Sequence, residues 1–195
     1  MKISNSTVKQ LIKKYPYLQP RNVWTDEICR VAKGEDAWYN GQHSLPTGWE
    51  RLFLLYVKNL KPILERLDLV NKYRFSQIKE KYGSMRIYDF GNTPEGHDLN
   101  HAYERISEFV CETCGAPAKF RTNGYITQYC RKCFKQHNKK WKESASRIHL
   151  KLTSKRIIFS DNHKTIHKLK LNKLWKEYIN CSKMSDDEFI QYILC

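Results

Sequence analysis

Apolar positions recur with a helical period in five stretches of the chain and alternate with polar ones in another. Ser4 to Tyr15 carries Val8, Leu11 and Ile12 behind polar residues able to cap it, which predicts a short helix broken by Pro16 and Pro20. Trp49 to Leu67 repeats Leu52, Leu55, Tyr56, Leu60, Ile63, Leu64 and Leu67 on one stripe, a helix that Pro62 kinks or divides. Residues 73 to 90, YRFSQIKEKYGSMRIYDF, alternate on either side of Gly83-Ser84 and predict a β-hairpin. Asp98 to Val110 reads as a helix lying on that hairpin through Ala102, Ile106 and Phe109. Residues 20 to 48 have no period, and their Trp, Gly and Asn content suggests an ordered loop with a helical turn at Glu27 to Ala32.

Further along, residues 118–122 and 125–129 can pair as strands around Asn123-Gly124, a strong two-residue hairpin turn. The following FKQHNKKWKESASRI (134–148) can run as a helix. KRIIFS (155–160) and TIHKLKL (165–171) read as two strands, and Lys173 to Cys181 and Asp186 to Leu194 as two helices. Ser185 followed by Glu188 makes a capping box for the last of them. The fold class expected is α+β: helices packed on a β-hairpin, a treble-clef-like four-cysteine zinc unit, and a basic α/β C-terminal extension. Residues 1–110, 111–145 and 146–195 would be its three parts. The last is too small to be stable alone, so it should dock on the rest.

The most specific chemistry is Cys111-Glu-Thr-Cys114, fifteen residues, then Cys130-Arg-Lys-Cys133. Two Cys-x-x-Cys pairs at this separation close a tetrahedral site and leave no position open for a substrate, so one structural zinc per chain is expected. Gly115 suits the tight knuckle after the first pair. Cys29, Cys181 and Cys195 have no paired neighbour and are not read as ligands. No apolar run approaches the ~20 residues needed to cross a bilayer, and the lysines of the first twenty residues precede no apolar stretch. A reducing cytoplasm is therefore expected, where thiolates hold metal more often than they form disulfides.

Charge adds a partner to this picture. The net charge is +15, and residues 119–176 hold 17 Lys and Arg against Glu143 and Asp161, so they carry the whole excess. Such a concentration suits a polyanion, because each cation facing a phosphate releases condensed counterions. A solvated basic face is the alternative. Lys119, Arg121, Arg131, Lys132, Lys135, Lys139, Lys140 and Lys142 are the candidate phosphate contacts, with Lys155 and Arg156 extending the track. Tyr125, Tyr129 and Trp141 could add stacking on a single strand. On the hairpin, Lys79, Lys81 and Arg86 with Tyr82 and Tyr88 form either a small basic-aromatic patch or a charge network with Glu80 and Asp89 that fixes register.

Enzymatic readings find little purchase. An HNH-type nuclease needs a His within a His or Asp pair on the hairpin to activate water, and residues 115–129 contain neither His nor Asp. A zinc deaminase needs His-x-Glu ahead of Pro-Cys-x-x-Cys, and neither is present. A glycine-rich phosphate loop is missing too.

Four stretches carry a resemblance: YPYLQPRNVWTD (15–26), Gly48-Trp49, QIKEKYGSMRIYDFG (77–91), and CETCGAPA (111–118) with YITQYCRKC (125–133). With a PRN-x-W-T loop, a K-E-K-[FY]-G-x-[LM]-R hairpin and a Cys-x-x-Cys-Gly knuckle, residues 15–134 resemble a family of small zinc-finger proteins of bacteriophages, prophages and gut bacteria. The resemblance implies a phage or bacterial cytoplasmic setting and the metal ligands, and no activity. The leading expectation is a non-enzymatic zinc-finger protein binding DNA, RNA or a ribonucleoprotein. A phage-encoded inhibitor that binds a host defence complex is the second reading, and a nuclease with an unread site the third.

Overall fold

The computed structural model describes residues 4–22, 24–29, 43–122, 124–137, 145–147 and 171–195. Helix α1 (Asn5–Lys14) begins where Ser4 accepts the Thr7 backbone N–H at 3.2 Å, and Pro16–Leu18 follows as a single 3-10 turn. In the loop beyond, Arg21 bridges Ile28, so residues 27–29 are extended where a helical turn was expected; residues 30–42 lie outside those described. β1 (His43–Ser44) was not foreseen. It pairs in parallel with β2, His43 opposite Ile78. Helix α2 (Glu50–Arg66) is one helix with Pro62 inside it, and it buries the predicted stripe from Leu52 to Leu64, whereas Leu67 lies just past its end and is exposed.

β2 (Arg74–Lys81) and β3 (Ser84–Phe90) form the predicted hairpin. Its turn is Tyr82-Gly83, with φ of 54° and 71°, the positive pair of a type I′ turn, one residue earlier than the alternation suggests. Lys79 stands opposite Arg86, a like-charge pair that different partners separate: Arg86 bonds Glu104 at 3.2 Å and Lys79 sits over the Tyr88 ring. Glu80 instead accepts the Gly83 N–H at 2.6 Å, and Asp89 accepts the Tyr73 hydroxyl at 2.7 Å. Among the described residues neither acid pairs with a strand cation, so the register-fixing charge network, one of the two readings of this hairpin, is not what these acids form.

Helix α3 (Pro94–Ser107) starts earlier than expected because Thr93 caps it and Pro94 fits its first position. It closes the open edge of β3 with side chains: Glu104 accepts the Ile87 N–H at 2.9 Å and Ser107 the Met85 N–H at 2.8 Å. β4 (Phe120–Thr122) pairs with β5 (Gln128–Tyr129), and α4 (Arg131–His137) follows at once. The Asn-Gly turn is not used as a two-residue connection. Thr122 pairs with Thr127, and its hydroxyl donates to the Tyr125 carbonyl and accepts the Thr127 N–H, closing a longer loop. The helix expected over 134–148 is shorter, since β6 (Ala145–Arg147) adds to β4 as a third strand. The strands expected at 155–160 and 165–171 fall outside the described residues, apart from Leu171, which opens a helix.

Helices α5 (Leu171–Cys181) and α6 (Asp186–Leu194) appear where predicted, and both belong to the main core. Leu171, Leu174, Trp175, Tyr178, Phe189 and Ile193 join one apolar cluster with α1, α2, β2, β3 and α3. Arg51 of α2 donates to the Cys181 and Met184 carbonyls and to Asp186, stapling the α5–α6 connection. The last carbonyls of α6 take Lys14, Lys58 and the Tyr15 hydroxyl, cations and a donor where a helix C-terminus wants them. The capping box at the other end is complete. Ser185→Ala should cost about 1 kcal/mol, read as a lower urea midpoint with unchanged slope.

Candidate metal centre

The four cysteines of the two pairs converge. The Sγ atoms of Cys111, Cys114, Cys130 and Cys133 all lie within 4.8 Å of one another, and Cys114 and Cys130 are 3.6 Å apart. A tetrahedral ion with bonds of ~2.3 Å to sulfur sets its ligands about 3.8 Å apart, so the donor set fits a metal ion. Two ligands come from a knuckle. Val110 bridges Pro117, the Cys111 N–H donates to Ala116, and the Gly115 N–H to Cys111, with Gly115 at a φ of 76° that favours glycine. The other two straddle the start of α4, Cys130 just before it and Cys133 in its first turn. Cys130 accepts the Cys133 N–H at 3.4 Å.

Burial raises the Cys130 thiol, but backbone donors from Cys133 and Lys132 and its thiol neighbours outweigh it and hold it below the usual range. Cys133 is pushed well up by burial and by its thiol contacts, and Cys114 is raised by burial as well. Four thiols this close cannot all ionise unaided; a cation resolves the conflict by deprotonating the set. Three ligands are buried and Cys114 is exposed.

The knuckle is bolted to the core by residues whose part was not legible in the sequence. Gly48 donates its N–H to the Glu112 carbonyl at 2.8 Å, and a Cβ there would stand 2.1 Å from the Cys111 carbonyl oxygen. Trp49, fully buried, donates its indole N–H to the Val110 carbonyl at 3.1 Å. From α5, the buried Tyr178 hydroxyl donates to the Gly115 carbonyl. Glu112 and Gln128 pair through their backbones, while Glu112 also accepts the Gln128 N–H on its carboxylate; burial lifts that carboxyl to about 7.

Around this centre Lys119, Arg131, Lys132 and Lys135 are exposed. Arg121 is half-buried, and its guanidinium donates to the Tyr82 carbonyl at 3.3 Å. Lys139, Lys140, Trp141, Lys142, Lys155 and Arg156 lie outside the described residues. Of the two tyrosines, Tyr125 is 74% exposed, whereas Tyr129 packs on the cysteine cluster and near Phe134. Cys29, Cys181 and Cys195 are not part of the four-cysteine cluster. Among the described residues no helix is long and apolar enough to cross a membrane. Compared with known family models, curated proteins and solved structures, the chain matches none.

Proposed function

We propose that the chain is a non-enzymatic zinc-finger protein that binds nucleic acid, or a ribonucleoprotein, through the basic surface around its metal centre. The observation that carries it is the closed set of four thiols within 4.8 Å. Four thiolates select zinc from the abundant divalent ions and leave it no open position, so the ion's role is to hold the fold. Knuckle, hairpin and a helix whose first turn brings the second pair follow the order of a treble clef. Exposed Lys119, Arg131, Lys132 and Lys135 start the basic excess on that unit.

Binding of this kind is electrostatic and largely indifferent to sequence. Log K for duplex DNA should fall against log salt by about 0.9 per phosphate neutralised, a slope of −3 to −4 for three or four contacts. Charge reversal at Lys132 and Lys135 to Glu should flatten it and leave the melting temperature unchanged. A flat slope in the wild-type protein would refute this function and favour the second reading, an inhibitor docking on a host defence protein.

A further inference from the structure

We infer that the two loop tips meeting beside the metal unit form a stacking site for single-stranded nucleic acid. Tyr82 and Tyr125 supply its rings, and Lys81, Lys119 and Arg121 its cations; the inference rests on the nucleic-acid reading above and names the form it prefers. The tip of the β2–β3 hairpin lies against the β4–β5 loop. A Cβ at Gly83 would stand 2.4 Å from Ile126 Cγ2 and 2.6 Å from Gln128 Nε2, and Arg121 reaches the Tyr82 carbonyl. Tyr125 is the neighbour of Ile126, so two exposed aromatic residues stand on the two loop tips that meet here.

Tyr82 is the telling residue. It occupies the left-handed region at a φ of 54°, which a bulky side chain adopts only under strain, while its ring is 70% exposed. Packing cannot repay that strain, because the ring touches little of the fold. The first position of a type I′ turn favours Asn or Gly, so Tyr82 breaks the local rule with a ring that stays exposed. Strain of this sort points to a surface function.

The surroundings fit a nucleic-acid strand. The Lys81 ammonium lies 5.5 Å from the centre of the Tyr82 ring. Lys119, just before β4, is exposed, and Arg121 on β4 reaches the Tyr82 carbonyl. The nearest carboxylate on the hairpin, Glu80, is taken up by the Gly83 N–H at 2.6 Å. Exposed rings flanked by cations accept any base on its π-face while the cations track the phosphates.

The test is fluorescence anisotropy on the full metal-loaded chain, with a labelled oligothymidylate and a duplex of the same length at low salt. The single strand should bind about tenfold more tightly. Tyr82→Asn creates Asn-Gly in the turn, so the hairpin stays folded, yet it should lose about tenfold for the single strand and nothing for the duplex. Tyr125→Ala should do the same, and Tyr82→Phe should bind as the wild type. Equal affinity of Tyr82→Asn and wild type for the single strand overturns the inference, as does a loss shared by the duplex. Steep salt-dependent binding of the duplex with no single-strand preference overturns the inference alone. Failure to bind either probe overturns it together with the proposed function.

Discussion

Stripping the metal from the purified protein should unfold much more than the segment that holds it. Among the described residues the four-cysteine cluster has a small apolar core of its own: beyond three of the cysteines it draws on Ala116 and Tyr129, with the stacked Phe120 and Phe134 beside it. Metal binding supplies on the order of 10 kcal/mol in such units, and without it no preformed site persists. The knuckle carbonyls of Val110, Glu112 and Gly115 are the acceptors for Trp49, Gly48 and Tyr178, all buried. Melting the knuckle orphans those donors inside the core, at about 1–3 kcal/mol each. Chelation, or Cys130→Ser, should therefore lower the melting temperature of the entire chain and erase hydrogen-exchange protection in residues 49–55 and 174–181. Elemental analysis should return one zinc per chain before treatment. Protection in those segments that survives complete metal removal would show the core to be independent of the centre.

A second large effect should come from the smallest change available, Gly48→Ala. The added methyl would sit 2.1 Å from the Cys111 oxygen and 2.7 Å from the Glu112 carbonyl carbon, both backbone atoms that no rotamer can move aside. Either the knuckle or the start of α2 must shift, and α2 is pinned by the fully buried Trp49 and Leu52. Overpacking of this severity costs about 3 kcal/mol or more. Because the displaced residue, Cys111, belongs to the candidate metal centre, zinc affinity under the proposed reading should fall along with stability, unlike a purely core lesion such as Leu54→Ala. Competition with a chromogenic chelator separates the two cases, and Gly48→Ala with wild-type affinity would mean that the approach is relaxed elsewhere.

What could be read from the sequence follows range. The stripe of α2, the capping of α1 and α6 and the two cysteine pairs are set by residues within a turn or two of one another, and those elements appear as read. Pairings between distant segments were not legible. β1 is two residues long and joins β2 from over thirty positions away, so it has no alternation to detect. β6 adds to β4 across α4, where helical spacing and strand pairing compete for the same residues. The Asn-Gly signal failed because Thr122 offers its hydroxyl to the loop, a side-chain bond that outcompetes the tighter turn. At the centre, the ligands were legible from spacing, whereas Gly48 and Tyr178 were not. In the sequence Gly48 stands out only as part of the Gly48-Trp49 stretch, and Tyr178 is one residue inside the helix predicted over 173–181. Only the fold shows that both touch the knuckle.

The bond from Tyr15 to the carbonyl of Ile193 joins residues 178 positions apart, and Lys14 reaches Leu194 beside it. On a translating ribosome, that separation becomes a delay. Chains lengthen by roughly 5–20 residues per second, so α1 leaves the exit tunnel on the order of ten seconds or more before its partner helix is made. Through that interval α1, whose Val8 and Leu11 are buried in the finished protein, lacks the α6 side of its cover. The four cysteines of the candidate metal centre span only residues 111 to 133, so under the proposed zinc reading that unit can close before α6 is made. If the centre holds zinc as proposed, a cell short of that metal would leave two parts of the chain unset at once, the condition under which newly made chains are handed to chaperones or proteases.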